Sequence, residues 1–207
     1  MRVLLVNGSP KETGCTFTAL GFVAEELESR GIETKIFQLG TAPIEGCRAC
    51  NACVKTGSCI VDTIVNECAE EAKTADGFVF GSPVHFASAG GKITSFMDRL
   101  FYSTKAKPFH GKPAAALVSC RRGGATAALD QLYKYLAYSH TPIVSSQYWN
   151  MIHGNTPDEV RQDLEGVQIM RTIGRNMAWL LQCIEAGKGA GIAFPKPEPV
   201  VRTNFIR

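Results

Sequence analysis

The chain has 207 residues, of which 45% are hydrophobic, and this length and composition suit one globular domain with a substantial core. Its formal net charge of +3 is too small to indicate binding to nucleic acid or to a membrane surface. No apolar run reaches the length of a membrane span, and the N-terminus enters a strand pattern without a cleavable signal, so we expect a cytoplasmic protein. In that reducing compartment, the eight cysteines favour thiols or metal ligands over disulfides.

The first apolar run leads directly into a loop that suits a phosphate group. Residues 3–6 are typical of a buried strand, residues 7–10 end it, and a helical pattern begins at Thr16. A strand, a short Gly/Ser/Thr loop and a helix N-terminus bring free N–H groups together, which favours an anion. The loop lacks the Walker A and G-x-G-x-x-G spacings, so it fits a monophosphate ester best. An ordinary turn between a strand and a helix would give a similar pattern.

Strands and helices alternate along the rest of the chain. Further strands are predicted over residues 32–39, 77–81, 114–119 and 142–146, and helices over residues 16–30, from about 65, from 90, around 129–136 and from 156 to 184. This alternation predicts an α/β fold with a doubly wound, five-stranded parallel sheet and helices on both faces. Ligands of such sheets bind beyond the carboxyl ends of the strands, so we expect a site at residues 9–16, 82–91 and 119–124.

Four cysteines fall close together in the long loop predicted over residues 40–62. Their spacing is C-x2-C-x2-C-x5-C, formed by Cys47, Cys50, Cys53 and Cys59. Such a compact set of thiolates suits an iron–sulfur cluster. Zinc can use the same four ligands, although zinc sites more often pair two separated C-x2-C units. Metal-free thiols that pack beside a ligand, or that oxidise to a disulfide in air, are a further alternative.

With these loops in place, the sequence resembles the NAD(P)H-dependent FMN reductases of the flavodoxin-like superfamily. The segments that carry the resemblance span residues 1 to about 125 and are Gly8-Ser9-Pro10 with Gly14 and Thr16, Gly81-Ser82-Pro83-Val84-His85-Phe86, and Phe96-Met97-Asp98-Arg99. Two later segments resemble an azoreductase-like subgroup, Tyr148-Trp149-Asn150-Met151 and Arg175-Asn176-Met177-Ala178-Trp179. The cysteine motif is similar to that of iron–sulfur flavoproteins. The resemblance implies a flavodoxin-like strand order of 2-1-3-4-5.

The resemblance also implies which residues contact the flavin. They are, for the phosphate, Ser9, Lys11, Gly14, Cys15 and Thr16; for one side of the isoalloxazine ring, Pro83, Val84, His85, Phe86 and Ala87; and for the other side, Ser119, Arg121, Arg122, Gly123 and Gly124. His85 is the candidate proton donor or ring-edge hydrogen-bond donor, although many relatives carry Tyr at this position. We expect Arg121 or Arg122 to neutralise a reduced flavin or a nicotinamide phosphate. Asp98 and Arg99 are expected to hold helix and loop together.

The function implied by the resemblance is that of an enzyme. FMN would take a hydride from NAD(P)H and reduce a flat acceptor such as a free flavin, a quinone, an azo compound or a nitroaromatic compound. FAD is compatible with the same loop, which recognises one phosphate. The alternatives are an iron–sulfur flavoprotein that passes electrons between a ferredoxin and an acceptor, and a flavin-binding redox sensor. Because many similar reductases keep such cysteines as flavin-only proteins, the resemblance favours metal-free thiols over a [4Fe–4S] cluster.

The end of the chain extends beyond what a flavodoxin core needs. We expect an FMN-binding domain over residues 1–186 and a C-terminal arm over residues 187–207, which contains three prolines and packs on the core or on a partner subunit. Trp149 and Trp179 add apolar surface near this end. Such a surface is better buried across a symmetric interface, so we expect a homodimer or a homotetramer.

Overall fold

The computed structural model describes residues 1–61 and 63–205. Asp62, at the end of the predicted cysteine loop, and Ile206 and Arg207, at the end of the predicted arm, lie outside the described residues. The strands are β1 (Arg2–Asn7), β2 (Glu33–Gln38), β3 (Gly77–His85), β4 (Ser88–Ala89), β5 (Ala114–Cys120) and β6 (Met151–His153). The helices are α1 (Cys15–Glu28), α2 (Ala52–Thr56), α3 (Thr63–Thr74), α4 (Gly91–Thr104), α5 (Ala125–Tyr138), α6 (Pro157–Gln162) and α7 (Leu164–Gly189), with a 3-10 turn at Lys107–Phe109.

The strands form one sheet in the order β2-β1-β3-β5-β6, and all neighbours in this order run parallel. The two-residue β4 pairs antiparallel with the end of β3. Without β4, this is the predicted order 2-1-3-4-5, and the flavodoxin-like fold is confirmed. β1 and β5 lie between other strands of the sheet, and both have continuous apolar sequences. Every residue of β5 is buried, as a strand covered on both faces requires.

Helices cover both faces of the sheet. Residues of α1, α6 and α7 pack into a hydrophobic cluster with the inward residues Val3, Leu5, Val79, Ala115 and Leu117 of the strands. Residues of α3, α4 and α5 pack into a second cluster on the opposite face. The strand residues in this cluster are Leu4, Val6, Phe78, Phe80, Ala114, Ala116 and Val118. Within the described chain, none of the helices is long and apolar enough to cross a membrane.

The bounds predicted for the last strand are wrong. Residues 142–146 contribute only one isolated bridge, between Ala114 and Ile143, and the strand itself is β6, which pairs with the end of β5. Between the isolated bridge and β6 the strand pairing is interrupted, and the buried side chain of Asn150 makes hydrogen bonds there. Its Nδ2 donates to the carbonyl oxygens of Ala116 at 3.0 Å and Val144 at 3.3 Å, and its Oδ1 accepts from the Ser146 amide at 3.2 Å. One side-chain amide thus replaces ladder bonds where the chain leaves the sheet edge.

The single long helix predicted from Thr156 is divided into α6 and α7 at Asp163. The predicted N-cap forms, since Thr156 Oγ1 accepts from the Glu159 amide at 3.2 Å. The Asp163 carboxylate then accepts from the Gly166 amide at 3.0 Å through Oδ1 and from the His153 amide at 2.7 Å through Oδ2. An aspartate that caps α7 and also holds the end of β6 interrupts a helical pattern that is otherwise continuous in apolar residues.

The chain beyond α7 contacts the body of the domain at Phe194. The Phe194 ring packs on Gly111, where a Cβ atom would come within 2.7 Å of Phe194 Cγ and where φ is 69°. Glycine suits Gly111 for both reasons. Farther along, Val200, Val201 and Phe205 are exposed. That residues 187–207 form an arm that packs on the core or on a partner subunit stays a prediction.

Asn150→Ala is expected to lower the free energy of unfolding by about 2–4 kcal/mol, because it leaves buried backbone groups without their hydrogen-bond partners. Urea unfolding of the variant and of the wild type measures this difference. The matched control is Asn155→Ala, whose side chain is exposed, and this change should stay within about 0.5 kcal/mol of the wild type. Equal effects of the two substitutions would show that Asn150 does not hold the sheet edge.

Candidate cofactor sites

Two side-chain amides fix the backbone of the loop after β1. Asn7 is fully buried; its Oδ1 accepts from the Ser9 amide at 3.1 Å, and its Nδ2 donates to the Lys11 carbonyl at 3.2 Å. Gln38, at the end of β2, accepts from Asn7 Nδ2 at 2.5 Å and donates to the Ser9 carbonyl at 2.8 Å. Sequence reasoning treated Asn7 only as a turn signal and missed Gln38. The available signal, a polar residue at the end of an apolar strand, applies to Asn7 but not to Gln38, which ends the mixed strand β2.

The loop ends at the N-terminus of α1, which is open to a ligand. Gly14 is the N-cap residue, and among the described residues no side chain caps this helix. Thr16 and Ser9 are buried, and Ser9 Oγ accepts from the Lys11 amide at 3.2 Å. Thr16 Oγ1 lies 2.8 Å from Ser119 Oγ, so the first turn of α1 meets the end of β5. Free helix N–H groups beside these hydroxyls are the donor set that a phosphate monoester needs.

Two other members of the predicted phosphate set lie around this helix end. Lys11 is exposed, and Cys15 is half-buried. Burial raises the pKa of the Cys15 thiol above its ordinary value, so the thiol stays neutral near pH 7. Cys15 thus adds its backbone N–H rather than a charge, whereas Lys11 adds a positive charge at the rim. The residues present fit a phosphate group.

The loops after β3 and β5 pack directly on each other. The register pairs Pro83 with Ser119, which puts both loops at the same sheet edge. Between β3 and β4, Phe86 and Ala87 turn the chain with φ values of 50° and 59°, which is strained for residues with a side chain. At Gly124, a Cβ atom would come within 2.5 Å of the Ala87 Cα, so only glycine lets the two loops meet.

The surface made by the end of β3, the turn that follows it and the loop after β5 is apolar in the middle and basic at one side. The Phe86 ring is fully exposed, His85 is exposed, and Pro83 and Val84 are half-buried. Arg121, Arg122 and Gly123 are exposed where β5 ends. An exposed aromatic ring on a strained turn is typical of a ligand-binding surface. A flat apolar ring that gains negative charge on reduction fits such a surface.

The structure therefore brings all predicted flavin residues to one sheet edge.

The predicted cysteine residues lie apart from this sheet edge, along α4. Several hydrogen bonds join the cysteine loop to this helix. Among them, Lys92 Nζ donates to the Ala42 carbonyl, Arg99 Nη1 donates to the Glu45 carbonyl at 3.2 Å, and Tyr102 Oη donates to Asn51 Oδ1 at 2.7 Å. Because α4 begins at this sheet edge and rises about 1.5 Å per residue, Arg99 lies about 12 Å along the helix from its start.

All four cysteines of the motif line one small pocket together with Arg99 and Tyr102. Cys47 and Cys50 are exposed, Cys53 is buried and Cys59 is half-buried. Burial raises the pKa of the Cys53 thiol, and the charges of the three neighbouring cysteines raise it further. The structure thus gathers the predicted ligand set around one point.

The donor set fits a cluster better than a single ion. In the part of the chain that the structure describes, no three His, Cys, Asp or Glu side chains lie close enough to hold one metal ion. Zinc would need all four thiolates about 2.3 Å from one centre. A [4Fe–4S] cluster instead uses one thiolate for each iron, so its ligands stand farther apart. The four cysteines line one pocket without three of them being close enough for a single ion, which is compatible with ligands to separate irons.

Comparison with known proteins agrees with this geometry. An iron–sulfur flavoprotein of Methanocaldococcus jannaschii is 26% identical over 193 residues, which cover 89% of this chain and 100% of that protein. An iron–sulfur flavoprotein of Archaeoglobus fulgidus is 28% identical over 193 residues, covering 87% of this chain and 97% of that protein. The solved structure of FerB, a flavoenzyme NAD(P)H:(acceptor) oxidoreductase from Paracoccus denitrificans, shares the fold with a TM-score of 0.65 at 16% identity, covering 88% of this chain and 97% of that one.

The family model for NADPH-dependent FMN reductases matches residues 1–156. The matched region contains all three loops at the sheet edge and the cysteine loop, and it ends at the N-cap of α6. The match thus includes every residue predicted for the flavin and cysteine sites. The chain belongs to the family of NADPH-dependent FMN reductases, and it is an FMN-dependent oxidoreductase.

Proposed function

We propose that this NAD(P)H-dependent flavoprotein reduces flat acceptors at the sheet edge and holds a [4Fe–4S] cluster in its cysteine pocket. The observation that carries the first part is the meeting of three helix N-termini at this edge. Their N-cap residues are Gly14 for α1, Gly90 for α4 and Gly124 for α5, and none of the three has a side-chain cap among the described residues. Glycine caps leave the positive helix ends open to an anionic ligand.

The residues at the edge have separate tasks in this proposal. Ser9, Thr16 and the first N–H groups of α1 bind the phosphate. Bound FMN supplies the acceptance and delivery of a hydride. Residues 83–87 lie along the ring, and Arg121 or Arg122 stabilises negative charge that develops there. His85 is exposed, so it is free to donate a hydrogen bond at the ring edge or a proton to an acceptor that stacks on the open face.

The second part of the proposal concerns the cysteines. The resemblance alone favours metal-free thiols, and ligand spacing by itself is weak evidence for a cluster. Two observations support a cluster instead: the four cysteines line one pocket with a buried arginine, and the two relatives compared above are iron–sulfur flavoproteins. We therefore favour a [4Fe–4S] cluster bound by Cys47, Cys50, Cys53 and Cys59.

One observation favours a second candidate function, in which the chain accepts electrons from a ferredoxin. A groove beside the cysteine pocket is bordered by Cys53 and by one acidic side chain, Glu70, and its lysines are Lys55, Lys73, Lys105, Lys107 and Lys112. The whole chain carries a net charge of only +3, so this groove concentrates positive charge. Exposed lysines steer acidic partners toward such a surface. An acidic electron-transfer protein that docks here would lie next to a cluster ligand.

We also propose a homodimer or a homotetramer. Tyr148 and Trp149 precede the edge strand β6, and their rings contact each other with centroids 4.6 Å apart. Nearby, Asn176 Nδ2 donates to the Ser145 carbonyl at 2.7 Å, and Trp179 follows on α7 with 65% of its surface exposed. Three exposed aromatic side chains, two before the edge strand and one on the helix joined to it, suit a symmetric contact. The mass of a monomer by light scattering at working concentration would contradict this proposal.

Thr16→Val should weaken FMN binding by roughly tenfold or more, because a hydroxyl that bonds a charged phosphate contributes about 1.5–3 kcal/mol. Valine has nearly the same shape, so the fold should be kept. Quenching of flavin fluorescence by the apoprotein gives the affinity. Thr172→Val is the control, since its hydroxyl donates to the Gln168 carbonyl on α7, away from this edge. An unchanged affinity in Thr16→Val would show that the phosphate lies elsewhere.

The double variant Lys105→Glu/Lys107→Glu should slow reduction of the protein by an acidic ferredoxin about tenfold or more at low salt, because it reverses charge at the groove. The rate for the wild type should fall as ionic strength rises. Stopped-flow spectroscopy measures both rates. The control is Lys134→Glu/Lys196→Glu, which makes the same charge change at exposed positions outside the groove. Equal slowing by both double variants would contradict docking at the groove, as would a rate that salt leaves unchanged.

A further inference from the structure

The structure assigns a role to Arg99, which the flavin chemistry does not use. We propose that Arg99 is a positioning residue of the cysteine site: its guanidinium group holds Cys59 in place and sets the potential at which the cluster is reduced. This inference rests on the proposed cluster. It goes beyond the expectation from the sequence that Arg99 holds helix and loop together.

The contacts of Arg99 are specific for a guanidinium group. The residue lies on α4 and is 1% exposed, the largest of the fully buried side chains. Its Nε and Nη2 each lie 3.3 Å from Cys59 Sγ, and its Nη1 donates to the Glu45 carbonyl at 3.2 Å. Two N–H groups that converge on one sulfur, with a third directed at the loop backbone, match the planar fork of arginine.

The cysteine loop is held on α4 at a second point as well. Ala49 and Asn51, on either side of Cys50, have φ values of 52° and 58°, which is uncommon for residues other than glycine. Tyr102 lies about one turn after Arg99 and donates to Asn51 Oδ1 at 2.7 Å. Tyr102 therefore supports the C-x2-C-x2-C part of the motif, and Arg99 supports its fourth cysteine. One rigid helix face thus fixes both parts of the ligand set.

The position of Arg99 also has an electrostatic consequence. Reduction of an iron–sulfur cluster adds one negative charge to a group that already carries four thiolates. A buried positive charge and two hydrogen bonds to a ligand sulfur stabilise the more negative state, because net charge and hydrogen bonds to sulfur set the potential of such clusters. Arg99 should therefore make reduction easier. Removal of Arg99 should shift the midpoint potential to a more negative value.

The test compares Arg99→Gln and Arg99→Lys with the wild type after anaerobic purification. Iron per chain gives the occupancy, and a redox titration followed by electron paramagnetic resonance gives the potential. Arg99→Gln should lower the equilibrium constant of reduction about tenfold, which is about 59 mV for one electron. Arg99→Lys keeps the charge but loses the fork, so its shift should be smaller and in the same direction. If Arg99→Gln binds no iron, the midpoint potential of Arg99→Lys tests the inference, which predicts a shift to a more negative value.

Two controls separate this role from a general effect. Arg48→Gln removes a positive charge next to Cys47, but Arg48 is exposed and pairs with Glu45 rather than with sulfur. Its potential should match that of the wild type. Tyr102→Phe should lower the iron content without a shift in potential. Arg99 variants that bind the cluster with the wild-type potential would overturn this inference and leave the proposed cluster standing. Wild-type protein without iron, even after reconstitution with iron and sulfide, would overturn the proposed cluster and this inference together.

Discussion

The parallel pairing of β1, β3 and β5 is the constraint on which the rest of the structure depends. Because the strands run in one direction, their carboxyl ends meet at one edge, and the register fixes that alignment at Asn7 with Gly81 and at Pro83 with Ser119. Each of these strands leads through a loop to a helix whose N-terminus is capped by glycine. The donors for a phosphate and the surface for a flat ring follow from this arrangement rather than from a single catalytic side chain.

The helix α4 connects this edge with the cysteine pocket. It begins beside the loops proposed to bind the flavin, and its later residues Arg99 and Tyr102 contact the cysteine loop. Asp98 has a related structural task, since Tyr135 Oη donates to its carboxylate at 2.5 Å and thus joins α4 to α5. A helix that is fixed on one side by α5 and on the other by the loop gives the cysteines a rigid support. Both proposed cofactor sites therefore share one element.

Local signals in the sequence were sufficient for β1, β5 and the fold class. The predicted third strand ends at residue 81, whereas β3 continues to His85, because residues 82–85 pair with β5 and β4. The apolar runs of β1 and β5 end in Gly/Ser-rich turns, and both features are read within a few residues. The break at Asn150 and the end of α6 at Asp163 depend on partners in other elements, so periodicity alone did not predict them. The same holds for the contact between Arg99 and Cys59, which are 40 residues apart in sequence. Spacing indicated the four cysteines, but only the fold shows the arginine among them.

The central claim is that one chain holds a flavin at the sheet edge and a [4Fe–4S] cluster beside α4. The most direct test is Mössbauer spectroscopy of 57Fe-labelled protein purified without oxygen, combined with flavin, iron and acid-labile sulfide analysis of the same sample. The account predicts about one FMN and about four irons and four sulfides per chain, with the spectrum of a cubane cluster. One FMN per chain without iron, or iron bound as isolated ions, would contradict it.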